Sequence, residues 1–256
     1  VDGGRGIVPV AGCLGEKLAK ELTRSGDVEA CIHAAWITTP GIYQTAPENQ
    51  LLMKESYEFL HALQREGVRR FVVLGTCAEY ATGREGSTLR EEDAVLEPQN
   101  PYARSKSELH AGLVQQLEPE TNLAWARIFF PYGKGEHPNR LISSILRKFS
   151  RGEKVILETP GNCVDFVHVS DVASALVTLL DEKANGPHNV GSGEGVEVRQ
   201  VARLLAEMWN GPIEGIEEKD HEPVHMVADI ERLRGLGWQP SRSLREGLES
   251  MVKSVQ

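Results

Sequence analysis

The chain has 256 residues, of which 40% are hydrophobic and 25% charged, and a formal net charge of −9. That length supports one domain with an appended lobe. The acidic balance argues against a nucleic-acid partner, and no run approaches the ~18 apolar residues that a membrane-spanning helix needs.

In chain order, GIVPVAG (Gly6–Gly12) reads as a short buried strand and EKLAKELTRSG (Glu16–Gly26) as an amphipathic helix closed by glycine. EACIHAA (Glu29–Ala35) is the next strand. A long helix over Asn49–Gly67 follows, its apolar face made by Leu51, Leu52, Tyr57, Phe59, Leu60 and Leu63. Arg70–Gly75 is another apolar strand. Strands alternating with helices predict a parallel sheet covered on both sides. The polar stretch Ala81–Gln99 is long enough to be functional rather than a simple connector. A helix then runs to about Glu118, and a strand over Leu123–Phe129. After Pro131 glycine and proline become denser. Helices over Asn139–Arg151, Asp171–Asp181, Val198–Met208 and Leu244–Lys253 accompany short strands at Lys154–Leu157 and Val164–His168. Cys13, Cys31, Cys77 and Cys163 show neither C-x-x-C spacing nor a matching histidine cluster, so reduced thiols in a cytoplasmic protein are expected, with no metal site.

The chemistry concentrates in GTCAEY (Gly75–Tyr80) and NPYARSKSELH (Asn100–His110). Asn100 suits an N-cap and Pro101 the first helical position. Tyr102 and Lys106, four apart, then share a face, roughly 5–6 Å apart at Cβ. An ammonium and the positive helix end both favour phenolate, which predicts a tyrosine able to give or take a proton near neutral pH.

The series strand, Thr76, loop, capped Tyr/Lys helix resembles the extended short-chain dehydrogenase/reductases, the nucleotide-sugar epimerase/dehydratase family. The resemblance continues through CIHAAW (Cys31–Trp36), ARIFFPYGKGEHP (Ala126–Pro138), VDFVHVSDVASAL (Val164–Leu176), HNVGSG (His188–Gly193) and LGWQPSRSLREGL (Leu236–Leu248). It implies a Rossmann-like α/β fold, with a cofactor-binding domain over residues 1–131 and mainly a substrate lobe over 132–256. It also implies NAD or NADP as cofactor, a nucleotide-sugar substrate, and a homodimer formed through Asn49–Gly67 and Pro101–Glu118. Thr76, Tyr102 and Lys106 take the catalytic places. His33, Ala34, Ala35 and Asn49 join Tyr102 and Lys106 along the cofactor, with Asn49 supporting the lysine. Asn49 reads equally as a helix-start cap, and His33 as a satisfied core residue. Cys77, Ala78, Phe130, Asn139 and Arg140 take substrate-facing places.

Several positions depart from the family pattern. A Gly-x-x-Gly-x-x-Gly loop is not found; the nearest candidate, Gly12-Cys-Leu-Gly15, is followed by Leu18. Val8–Leu14 fits the family's third strand better, with Cys13 in place of its Asp. The expectation is that roughly 50 residues of the fold precede Val1 or have been lost. Cys77 and Ala78 stand where sugar 4,6-dehydratases carry an acidic pair, which argues against elimination. Phe130 replaces an Asn, Val164 an Arg, and DHEPV (Asp220–Val224) an Arg-Pro-Gly-Asp turn. Arg140, Lys148, Arg151 and Lys134 remain as candidate cations for a diphosphate. Three functions stay open: a 4-keto-hexose reductase, a 4-epimerase with retained NAD, and a non-catalytic binding protein.

Overall fold

The computed structural model describes residues 10, 12–26, 28–209 and 215–255. The strand expected at Gly6–Gly12 falls almost wholly outside the described residues. The elements are α1 (Glu16–Ser25), β1 (Ala30–His33), α2 (Glu48–Arg65), β2 (Arg70–Thr76), α3 (Pro101–Gln116), β3 (Asn122–Ile128), β4 (Phe130–Tyr132) and α4 (Leu141–Ser150). They continue with β5 (Val155–Leu157), β6 (Cys163–His168), α5 (Val169–Asp181), β7 (Gly186–Val190), β8 (Gly195–Glu197) and α6 (Val198–Trp209). Last come β9 (Ile216–Glu218), β10 (His225–Met226), α7 (Glu231–Arg234) and α8 (Leu244–Lys253). Among the described residues no helix is long and apolar enough to cross a membrane.

β1, β2, β3 and β7 form a parallel sheet in that spatial order. Alternation along β2 sends Phe71 and Val73 to one face and Val72 to the other. On the first face they meet Leu123 and Trp125 of β3 and the buried sides of α2 and α3, including Phe59, Leu60, Leu63, Leu109 and Leu113. On the second face α5 buries Val172, Ala175 and Leu179, a helical stripe. Leu51, expected in the core, is 56% exposed; the stripe of α2 instead runs through Asn49, Ser56, Phe59, Leu60 and Leu63.

A second sheet carries β10, β6 and β4 in parallel, with β8 antiparallel to β6; β5 and β9 form a separate pair. Buried Asp165 ties β6 to the turn after β7, accepting hydrogen bonds from Ser192 N (2.6 Å), Ser192 Oγ (2.6 Å), Gly193 N (2.9 Å) and Ala228 N (3.2 Å). The long stretch after β2 is a strap between the sheets. Gly83 N donates to His225 O at 2.7 Å, Leu89 N to Val227 O at 2.8 Å, and Asp229 N returns to Leu89 O at 2.9 Å.

Candidate active site

The site forms at the C-terminal ends of β1 and β2. At the end of β2, Thr76 starts a single tight turn over Cys77–Glu79. Its Oγ1 accepts from Ala78 N at 3.2 Å, and its own N–H donates to Glu79 Oε1 at 2.9 Å, a reciprocal capping box that fixes the threonine. Gly75 is required beside it, because a Cβ there would collide with the Trp125 indole and the Glu79 carboxylate.

α3 begins as its sequence predicts. The Asn100 side chain accepts from Ala103 N at 2.9 Å, and Pro101 holds the first helical position. One turn in, the Tyr102 ring packs edge-on against Tyr43 (centroids 4.9 Å apart) and Trp36 (6.4 Å). Burial pushes the phenol well above its ordinary value; its interaction with the Thr76 hydroxyl works the other way and is outweighed. Burial thus opposes the lowering expected from the lysine and favours the protonated phenol. The ammonium itself is directed elsewhere. Lys106, 2% exposed, sends Nζ to Leu74 O at 2.7 Å and lies 3.8 Å from the centroid of the Trp36 ring.

Burial also lowers the Lys106 pKa to about 7, with Glu79 opposing from a distance. In the unfolded chain the lysine titrates near 10.5. Between those values the unfolded state binds more protons, so folding grows more favourable as pH rises from about 7 to 10.5, and the penalty is complete below 7. Lys106→Met is expected to stabilise the fold by about 1–2 kcal/mol at pH 6, roughly 2–8 °C in melting temperature. The gain should shrink above pH 9. A constant or negative difference across thermal melts from pH 6 to 10 would count against a strained lysine.

Beneath the turn lies a buried polar chain. Glu79, fully buried, accepts from Trp125 Nε1 (3.0 Å) and Arg127 Nε (2.9 Å). Arg127 Nη1 donates to the Tyr80 hydroxyl (2.8 Å), which donates to Asn189 Oδ1 (2.8 Å), and Asn189 Nδ2 donates to Leu89 O of the strap (2.7 Å). Sequence reasoning passed over this chain. Two signals pointed to it: Thr-x-x-Glu at a turn is a capping-box pattern, and an arginine inside the apolar run AWARIFF requires a buried partner.

The other expected site residues divide. His33 is 3% exposed, its Nε2 lies 2.8 Å from Ser56 Oγ, and burial lowers its pKa to about 4. Ala34 and Ala35 are exposed just past β1. Asn49 contacts the lysine only indirectly: its Oδ1 accepts from Trp36 Nε1 at 2.8 Å, and its Nδ2 donates to Tyr43 O (2.7 Å) and Ala46 O (2.9 Å). Cys77 is buried and its thiol pushed up to about 12, so it is inert; Ala78 is half-buried beside it. Arg140 reaches the aromatic wall, its guanidinium 5.5 Å from the Tyr43 ring and Nη2 3.4 Å from Thr38 O. Phe130 packs on Phe166, and Asn139 accepts from Arg147 at 3.2 Å. Among the cations named for a diphosphate, Arg151 pairs with Glu153 at 3.9 Å.

A family model described as the NAD dependent epimerase/dehydratase family matches residues 11–191, through both sides of this site. The chain belongs to that family. The low-salt glycan biosynthesis protein Agl12 of Haloferax volcanii is 28% identical over 193 residues, which cover 72% of this chain and 61% of that protein. The chain spans about half the length of the curated relatives it matches. In structure it resembles UDP-glucose 4-epimerase of Thermus thermophilus in complex with NAD, with a TM-score of 0.80 and 23% identity over 94% of this chain and 81% of that one. It also resembles RMD from Pseudomonas aeruginosa complexed with NADPH, with a TM-score of 0.79 and 23% identity over 98% of this chain and 89% of that one. These likenesses establish the Rossmann-like α/β fold of the family member.

Proposed function

We propose that this chain acts in NAD(P)-dependent reduction of a keto carbon, C4, of a nucleotide-linked hexose. The observation that carries the reading is geometric: Tyr102, at the start of α3, lies beside the Thr76 hydroxyl at the end of β2, and burial favours its neutral phenol. A neutral phenol delivers a proton to an alkoxide as it forms. In the resembled sugar 4,6-dehydratases an acidic pair directly follows this hydroxyl residue, and Cys77 and Ala78 carry no carboxylate.

The relatives solved with NAD and NADPH support a nicotinamide cofactor. Lys106 fits one: of its three N–H donors, one has a hydrogen-bond acceptor among the described residues, which leaves donors for ribose hydroxyls. When bound, such a cofactor supplies hydride. Thr76 would donate to the substrate carbonyl oxygen and Tyr102 would then protonate it. Lys106, Ala34 and Ala35 would line the cofactor, with His33 and Asn49 buried behind them. Arg140, at the rim, offers a fork for substrate phosphate, with Phe130 and Asn139 on the same lobe. On this reading residues 1–131 serve the cofactor and 132–256 mainly the sugar.

The test mixes the purified protein with NADH or NADPH and a panel of nucleotide-linked 4-keto-hexoses. Loss of reduced-nicotinamide absorbance, one equivalent per sugar alcohol formed, is the expected result. Interconversion of C4 epimers without net cofactor consumption would replace the reductase by an epimerase. Cofactor binding with neither reaction would leave a binding protein.

A further inference from the structure

Lys106 carries its charge in a place with little to hold it. Among the described residues its ammonium has one hydrogen-bond acceptor, Leu74 O, and no carboxylate within ion-pair distance. Glu79 acts only from a distance and is committed to Arg127 at 2.9 Å. What touches the ammonium is the face of Trp36, 3.8 Å from Nζ to the ring centroid. An aromatic face attracts a cation through its quadrupole, most strongly for tryptophan and where water is excluded.

The indole cannot turn freely. Its N–H donates to Asn49 Oδ1 at 2.8 Å, and Asn49 is completely buried. Both backbone carbonyls held by the Asn49 amide, Tyr43 O and Ala46 O, belong to the segment that carries Tyr43 against Tyr102. Rotating the indole would leave a buried acceptor unpaired, at the cost of that hydrogen bond. Asn49 thus acts on the lysine through an intermediate ring.

We propose that Trp36, pinned by Asn49, is a positioning residue for Lys106: its indole face takes the place of a carboxylate partner, keeping the ammonium charged and aimed within the Thr76–Tyr102 site. The proposal rests on the reading of Lys106 as a working member of that site. The other groups facing the lysine are Tyr102 from α3, His33 from the end of β1, Glu79 from the turn after β2 and, behind Tyr102, Tyr43. Burial keeps His33 neutral, and Tyr102 stays protonated, so Trp36 and Glu79 are the groups that favour the cation.

The experiment titrates the Lys106 side chain in the full-length protein by heteronuclear NMR of Cε and Nζ, assigned with Lys106→Met. In wild type the midpoint is expected above the value of about 7 that burial and Glu79 alone would give. Trp36→Leu should lower it by about one pH unit, a tenfold change in the protonation equilibrium, and Trp36→Phe, with a weaker ring face in the same space, by about half of that. The high-pH limb of the pH–rate profile should move down with it, because the charged lysine is lost earlier. Trp36→Phe keeps the test available if Trp36→Leu does not fold. An unchanged midpoint in either folded variant overturns the proposal. An inactive protein whose midpoint still depends on residue 36 would refute the reductase reading and leave this one standing; an active protein with an unmoved midpoint would do the reverse.

Discussion

Tyr102→Phe is expected to lower kcat/KM for keto-sugar reduction by about a hundred- to ten-thousand-fold while leaving the fold intact. The ring stays where it is, because its packing comes from the edge-on contacts with Tyr43 and Trp36 rather than from the hydroxyl. Losing the hydroxyl removes one interaction, that with Thr76, so the change in stability should stay within about 1.5 kcal/mol. The deficit should also be nearly flat from pH 6 to 9. Burial holds the phenol protonated throughout that interval, so no ionisation of Tyr102 opens or closes the difference. Steady-state kinetics at several pH values, beside circular dichroism and a thermal melt, check both parts. Turnover close to wild type would remove Tyr102 from the chemistry and leave Thr76 without a proton donor beside it.

How much of this was legible in the sequence follows from how local each cause is. The start of α3 was readable because Asn100, Pro101 and the spacing of Tyr102 and Lys106 act within one turn. The parallel sheet was readable because β2 and β3 are apolar runs buried on both faces. The direction of the Tyr102 shift was not, since spacing along a helix shows that two side chains share a face but not where a four-carbon stem sends its charge. Leu74 O and Trp36, which lie beside that charge, come from β2 and from the loop after β1. Short strands were missed for a related reason. β10 is His225–Met226 and exists because it pairs with Cys163–Val164, more than sixty positions away. β7 reads GPHNV, with buried His188 and Asn189 where a strand pattern wants apolar residues. Asn189 is accommodated because Tyr80 and the Leu89 carbonyl complete its hydrogen bonds.

The second large effect expected lies under the site. Arg127→Met should destabilise the fold by about 3–5 kcal/mol, roughly 6–20 °C in melting temperature for a chain of this size. Burial works against the guanidinium's charge, and Glu79 and Tyr80 outweigh it, so Arg127 stays firmly ionised at 2% exposure. Methionine fills much of the same volume, and packing loss is therefore the smaller part. What remains is a carboxylate with no solvent access, whose hydrogen bonds among the described residues come from the Thr76 N–H and the Trp125 indole N–H, and a Tyr80 hydroxyl that has lost its donor. Removing one partner of a buried pair leaves an uncompensated charge, whereas removing both charges does not. Adding Glu79→Gln to Arg127→Met should accordingly recover much of the lost stability, since the amide still accepts from Thr76 and Trp125 without carrying charge. Exposed pairs such as Lys219–Glu158, at 2.8 Å, should contribute little when broken in the same way. Because Glu79 also fixes the Thr76 turn, the double variant separates two roles of one carboxylate. Recovered melting temperature with depressed kcat at unchanged KM would show that its charge serves the site beyond holding the fold; recovery of both would confine it to the core.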